Sequence, residues 1–146
     1  MAMDIDLFRR LCETPGVPGR EERVRALIDR DTKGLFDSRE TDAMGSYICT
    51  RKPTRKSKSQ PVRVMLAAHM DEIGFLVSHV DESGYLWLDA VGGFDTRNLF
   101  SRRVLVCTAD GDLHGVMNPG GKPVHIASAE DRKKIPEVAD FYVDWA

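Results

Sequence analysis

The sequence predicts two unlike halves. Residues 1–71 read as an α/β unit, two helices followed by strands, and residues 72–146 as a β-rich, barrel-like unit with one short helix. Three observations predict this. Apolar residues recur at helical spacing near the N-terminus. Val62–Ala68, broken only by Arg63, reads as a strand covered on both faces. After Gly74, short β-prone runs alternate with turn signals.

Taken in order, Ile5, Phe8, Leu11 and Cys12 mark a first helix that Pro15-Gly16 stops, and Val17-Pro18-Gly19 makes a turn. A second helix starts near Arg20. Glu21 and Glu22 suit the positive end of its dipole, Val24, Leu27 and Ile28 form its buried stripe, and Gly34 caps it. Arg39–Ala43 and Ser46–Arg51 flank Met44-Gly45 as a hairpin or bent pair. Beyond the run Val62–Ala68, Phe75–Val80 and Tyr85–Asp89 flank the loop Asp81–Gly84. Arg103–Thr108 and Leu113–Met117 flank Ala109–Asp112, which contains a strong Asp-Gly turn signal. Ser128, with Asp131 three residues on, marks a helix start, and Asp140–Ala146 reads as a last strand. Strands this short and evenly spaced suggest a small barrel or sandwich.

Composition excludes several classes. With 42% hydrophobic and 30% charged residues in 146, the chain suits a globular protein rather than a disordered one. Lys+Arg number 21 and Asp+Glu 23, a net charge of −2, so no basic excess points to nucleic acid. The one basic run, Arg51 to Pro61, lacks the aromatics of a single-strand platform and reads as a solvated loop. The longest unbroken apolar run, Val64–Ala68, is far short of the ~20 residues that span a bilayer. Asp4, Asp6, Arg9 and Arg10 stand where a signal peptide needs apolar residues. Cys12, Cys49 and Cys107 are odd in number and form no C-x-x-C, which reads as reduced thiols without a zinc knuckle. The expectation is a cytoplasmic protein that binds neither membrane nor nucleic acid.

The informative chemistry is His69-Met70-Asp71, at the carboxyl end of the expected strand. Ligands in open α/β sheets bind beyond such ends. Residues i and i+2 of an extended chain share a face, so Asp71 is placed to take one imidazole N–H of His69 where the chain bends after Met70. A carboxylate in that position fixes the tautomer of a metal-ligating histidine and raises its basicity. Glu72 points away. A second His-x-Asp, His79-Val80-Asp81, falls at a hairpin and reads as surface. His114 lies within a strand and His125 follows a Lys-Pro turn, and both read as structural or surface residues.

Several blocks together resemble the N-terminal part of metallopeptidase family 42, the tetrahedral, glutamyl or deblocking aminopeptidases. They are Leu11 to Glu21, Asp42-Ala43-Met44-Gly45, Val64 to Phe75 with its Ala-His-Met-Asp-Glu-Ile-Gly core, Gly92-Gly93-Phe94-Asp95, Gly121 to His125, and Asp131 to Lys134. The resemblance implies a cytoplasmic exopeptidase with two divalent metal ions, zinc or cobalt, that removes N-terminal residues from peptides. It implies homo-oligomers, dimers assembled into dodecamers. Residues 1–71 would be the N-terminal portion of the α/β catalytic domain, with its mixed sheet, and residues 72–146 a β-rich dimerisation-type domain, incomplete. His69 would be a metal ligand. The catalytic assignment falls on Asp71, which orients it. In such a site the metals polarise the peptide carbonyl and acidify a bridging water, whose proton a glutamate accepts.

The chain is less than half as long as a usual family member, and most of the implied ligands and the base have no counterpart in it. The expectation is a truncated portion, inactive in isolation, or a chain that oligomerises through the exposed faces of Val62–Ala68. Two alternatives stand beside it. One is a non-catalytic assembly module derived from the family. The other is a glycoside hydrolase built on Asp71, Glu72 and Asp95, with Trp87 and Phe94 the only aromatic platform. Gly92–Asp95 itself reads as a tight turn.

Overall fold

The computed structural model describes residues 4–55 and 62–145. The chain divides into two compact units, Met1–Glu72 and Ile73–Ala146.

In the first unit, α1 spans Ile5–Glu13 and α2 spans Glu22–Asp31. Asp4 caps α1, its carboxylate accepting from Leu7 N at 3.0 Å. Val24 and Leu27 of α2 are buried, and Ile28 is half-buried beside them. The loop joining the helices is pressed onto α2 at Gly16, where a Cβ would lie 2.5 Å from Val24 Cγ2, so only glycine fits. Strands β1 (Ser38–Thr41) and β2 (Tyr47–Thr50) pair antiparallel around a turn in which Asp42 Oδ1 accepts from Met44 N and Ser46 N.

Three side chains tie this ribbon to α2. The Arg39 guanidinium donates to Asp29 at 2.8 Å, the Tyr47 hydroxyl donates to Asp29 Oδ1, and Arg25 donates to Gly45 O at 3.1 Å. The bond to Asp29 pushes the Tyr47 phenol up to about 12 and, reciprocally, holds the Asp29 carboxyl below its ordinary value. A phenol raised in the folded state adds stability that is complete below its unfolded value of about 10 and is lost as pH climbs to the folded value. Tyr47→Phe is therefore expected to lower stability at pH 8 and to leave a shallower alkaline limb. Urea denaturation at pH 8 and pH 11.5 reads both effects, and parallel curves for the two proteins would contradict the account.

Val62–Ala68 forms no strand. Among the described residues it has no ladder partner, and Val62, Val64, Met65 and Leu66 are 89%, 79%, 88% and 93% exposed. The expected strand fails for a physical reason: a strand needs a neighbour to take its N–H and C=O groups, and the ribbon pairs only with itself. Among the described residues, the strands of this unit are the antiparallel pair β1 and β2. Of the basic run, Arg51–Arg55 is exposed, and residues 56–61 lie outside the described residues.

The second unit is a five-stranded antiparallel sheet built from β3 (Gly74–Val80), β4 (Leu86–Val91), β5 (Arg102–Thr108), β6 (Gly111–Pro119) and β7 (Phe141–Asp144). Its order is β3-β4-β7-β6-β5. It therefore ends at β3 and β5 and does not close into the expected barrel. The β3–β4 turn is set by Asp81. Its carboxylate accepts from Ser83 N, Tyr85 N and the Trp87 indole N–H at 2.9–3.0 Å. These donors, the indole first, hold the Asp81 carboxyl below its ordinary value. The β5–β6 loop is tighter than expected, because Thr108 already pairs with Gly111.

Alternation sets the core. Leu86 and Leu88, Phe141 and Val143, and Met117 face inward and join Leu99, with Phe75, Phe94, Val104, Val106 and Val138 packed against them. Trp87 and Tyr142 occupy the alternate positions and meet at 5.8 Å between centroids. Gly92 has φ +102°, and a Cβ there would lie 2.4 Å from Ile73 Cγ2, so the bend at this position depends on glycine. The expected helix at Ser128 is one 3-10 turn, Asp131–Lys133. Ser128 Oγ accepts from Asp131 N at 3.0 Å, but no apolar stripe follows and Pro136 forbids extension.

Candidate functional site

The first unit holds a groove of about 390 Å³ bounded by α1, α2 and the His69-Met70-Asp71 motif. Leu11, Val24 and Ile28 supply apolar lining, and Cys12, Thr14 and His69 to Glu72 complete it. One backbone bond fixes the register of the motif against the helices. Glu72 N donates to Gly16 O at 2.8 Å, in the loop that the Gly16–Val24 contact holds in place. The groove was invisible in the sequence, which carries no signal that residues 11–28 and 69–72 are neighbours.

His69 and Asp71 are brought together. His69 Nδ1 lies 3.0 Å from the Asp71 carbonyl oxygen and 3.3 Å from its carboxylate Oδ1. Both facing atoms only accept hydrogen bonds, so Nδ1 carries the proton in the neutral ring. The lone pair is then left on Nε2. The His69 side chain is 83% exposed and that of Asp71 37% exposed, so Nε2 is open to a ligand while its partner is partly screened. This is the tautomer a metal ligated through Nε2 requires. One feature of the contact is unexpected, because the nearer acceptor is the main chain of Asp71 rather than its carboxylate.

The donor set stops there. Among the described residues no group of three or more His, Cys, Asp or Glu side chains is placed to hold a metal ion. One imidazole does not make a two-metal centre, so the residues present do not fit a complete one. The remaining histidines lie elsewhere. His79 stacks on Trp87 at 5.8 Å on β3, His114 pairs opposite Leu105 in β6, and His125 is exposed in a loop. Asp95, a candidate for glycoside chemistry, is engaged by Arg97, which donates to both its oxygens at 2.8 and 2.7 Å. Phe94 stacks on Phe75 at 4.3 Å as part of the core rather than as a sugar platform.

A family model described as M42 glutamyl aminopeptidase matches residues 45–146. The chain belongs to this metallopeptidase family. It is 29% identical over 143 residues to the putative aminopeptidase FrvX of Escherichia coli (strain K12), covering 97% of this chain and 38% of FrvX. It is 33% identical over 125 residues to the lysyl aminopeptidase of Pyrococcus furiosus, covering 85% of this chain and 34% of that protein.

Solved structures agree. A TET aminopeptidase from the marine-sediment archaeon Thaumarchaeota archaeon SCGC AB-539-E09 matches 97% of this chain and 37% of its own, with TM-score 0.82 and 33% identity. The TET1 peptidase of Pyrococcus horikoshii, described as able to assemble into a tetrahedron or a large octahedral shell, matches 97% of this chain and 40% of its own, with TM-score 0.78 and 31% identity. A structure from Thermotoga maritima titled endoglucanase matches 93% of this chain and 43% of its own, with TM-score 0.65 and 31% identity. The chain thus spans about two-fifths or less of the curated relatives it matches. No helix among the described residues is long and apolar enough to cross a membrane.

Proposed function

We propose that the chain is the N-terminal portion of a cytoplasmic, metal-dependent aminopeptidase that removes N-terminal residues from peptides. In this reading His69 is one ligand of a divalent-metal centre, zinc or cobalt, and Asp71 is its positioning residue. The second unit is the dimerisation-type domain of a homo-oligomer. The observation that carries the reading is the orientation of one imidazole, with Nδ1 turned to two acceptors on Asp71 and Nε2 free, in a chain of the M42 family.

The groove beside it supplies an apolar wall, which suits an uncharged side chain more than a charged one. A bound metal would supply Lewis acidity. What this chain supplies is the hold on the imidazole, which fixes its direction and leaves its basic nitrogen outward. The other ligands and the general base come from outside the described residues, so the 146-residue chain alone is inactive.

The experiment is an aminoacyl-nitroanilide assay with added zinc or cobalt. The isolated chain is expected to give no turnover. A hybrid in which this chain replaces the matched 38% of FrvX is expected to hydrolyse the substrate. Turnover by the isolated chain that survives His69→Ala, or a folded hybrid without turnover, would contradict the proposal. A non-catalytic assembly role is favoured by the buried core of the second unit, and a folded, oligomeric but inactive hybrid would be its outcome.

A further inference from the structure

We propose that the Asp81–Trp87 contact is an acid-released latch: protonation of the Asp81 carboxylate frees the Trp87 indole and loosens the aromatic row it belongs to, while the core beneath stays folded. The inference concerns the second unit alone and does not depend on the peptidase reading.

The same four-residue turn occurs twice in the chain, as Asp42-Ala43-Met44-Gly45 and as Asp81-Glu82-Ser83-Gly84. In each, the aspartate Oδ1 accepts from the N–H groups two and four residues on. In each, the glycine N donates back to the aspartate carbonyl, and the aspartate N donates to the carbonyl four residues on. Both glycines have φ +89°. Two main-chain donors on one carboxylate oxygen are therefore enough to set this turn.

Asp81 does something more. Its Oδ2 accepts from the Trp87 indole N–H at 3.0 Å. Asp42 takes no indole, because the only other tryptophan, Trp145, donates to Gly84 O. Trp87 is paired with His79 on one side and Tyr142 on the other, on the face away from the core, with ring centroids 5.8 Å apart in both cases. The indole bond is thus what fastens this cross-strand row to the turn.

The bond depends on charge. All three donors to the carboxylate are uncharged N–H groups, and among the described residues no cation pairs with it. A hydrogen bond to an ionised acceptor is roughly twice as strong as one between neutral groups. Asp81 is half-buried, so solvent protons reach it. Its carboxyl is held below the ordinary value, the indole first among the causes. The latch is therefore fully made above the unfolded carboxylate value of about 3.9 and is released as pH falls through the folded one. The other titratable groups on the elements around it are His79 on β3, Glu82 and Tyr85 in and beside the turn, and Tyr142 and Asp144 on β7.

The test is proton–nitrogen NMR of the indole N–H groups from pH 6.5 to pH 2.5, with Trp87 assigned in Trp145→Phe. The protection of the Trp87 indole against solvent exchange should fall on the order of 10-fold or more at the acid end, while the amides of Met117 and Val143 stay protected. Asp81→Asn should show the released indole already at pH 6.5 and no acid step. Asp42→Asn, His79→Gln and Glu82→Gln should each keep the step. Equal protection in the parent chain and Asp81→Asn at pH 6.5 would overturn the proposal, as would loss of the step in His79→Gln or Glu82→Gln. Joint loss of the indole and the core amides in acid would overturn it too, since that is global unfolding. Should Asp81→Asn not fold, the acid step of the parent chain decides by that last criterion.

Discussion

Phe141→Ala is expected to remove most of the stability of the second unit. Phe141 is 0% exposed, sits on the central strand β7 between β4 and β6, and takes the edge of Phe100 at 5.5 Å. Truncating a buried phenylalanine costs about 3–5 kcal/mol, the lost transfer energy plus the cavity left behind. A unit of this size has roughly 4–11 kcal/mol in all. The cavity would be slow to collapse, because Met117 and Val143 beside it are held by strand pairing at the Met117–Val143 position. Trp87 and Trp145, the only tryptophans, both lie in this unit, so their fluorescence follows its unfolding in urea. A loss below about 1 kcal/mol would mean that the core does not centre on β7.

The largest functional effect is expected at the motif. In the FrvX hybrid, His69→Ala should remove a metal ligand and with it turnover. Asp71→Ala should leave the ligand and its main-chain acceptor in place but remove the carboxylate 3.3 Å from Nδ1, so that the imidazole is held less firmly. Losing an outer partner of a ligating histidine costs about 10–100-fold in metal affinity or activity. The two substitutions should therefore separate, with Asp71→Ala partly rescued by excess zinc and His69→Ala not. Because the principal contact to Nδ1 is the Asp71 carbonyl, Asp71→Asn should retain more affinity than a purely carboxylate-held imidazole would allow. Zinc titration of the three variants reads this. Equal losses in all three would contradict the geometry, and so would no loss in Asp71→Ala.

Much of the fold was legible where its cause was local. Pro15-Gly16 and the helical spacing before it placed the end of α1, and the turn residues Asp81–Gly84 and Asp110-Gly111 placed both hairpins of the second unit. The position of β7 was not legible. It pairs with β4 and β6, across 57 and 26 residues at the matched positions Leu86–Val143 and Met117–Val143 respectively, where pairings are decided by the collapsed core and not by turn chemistry. The barrel was overread for the same reason: strand spacing reports hairpins, while closure depends on whether β3 and β5 meet. Val62–Ala68 was misread because hydrophobicity signals a strand's intended environment and cannot supply its neighbour. At the site, the i, i+2 spacing was enough to pair His69 with Asp71. Which atom of Asp71 lies nearer to Nδ1 depends on the path of the main chain, and no side-chain pattern encodes that.

The central claim is a tautomer, and it can be read directly on the isolated chain by long-range proton–nitrogen NMR of the ¹⁵N-labelled histidines at pH 8. The account predicts that the His69 ring carries its hydrogen on Nδ1 and that zinc perturbs the Nε2 resonance selectively. A ring protonated on Nε2, or one averaging freely between both forms and indifferent to Asp71→Ala, would contradict it.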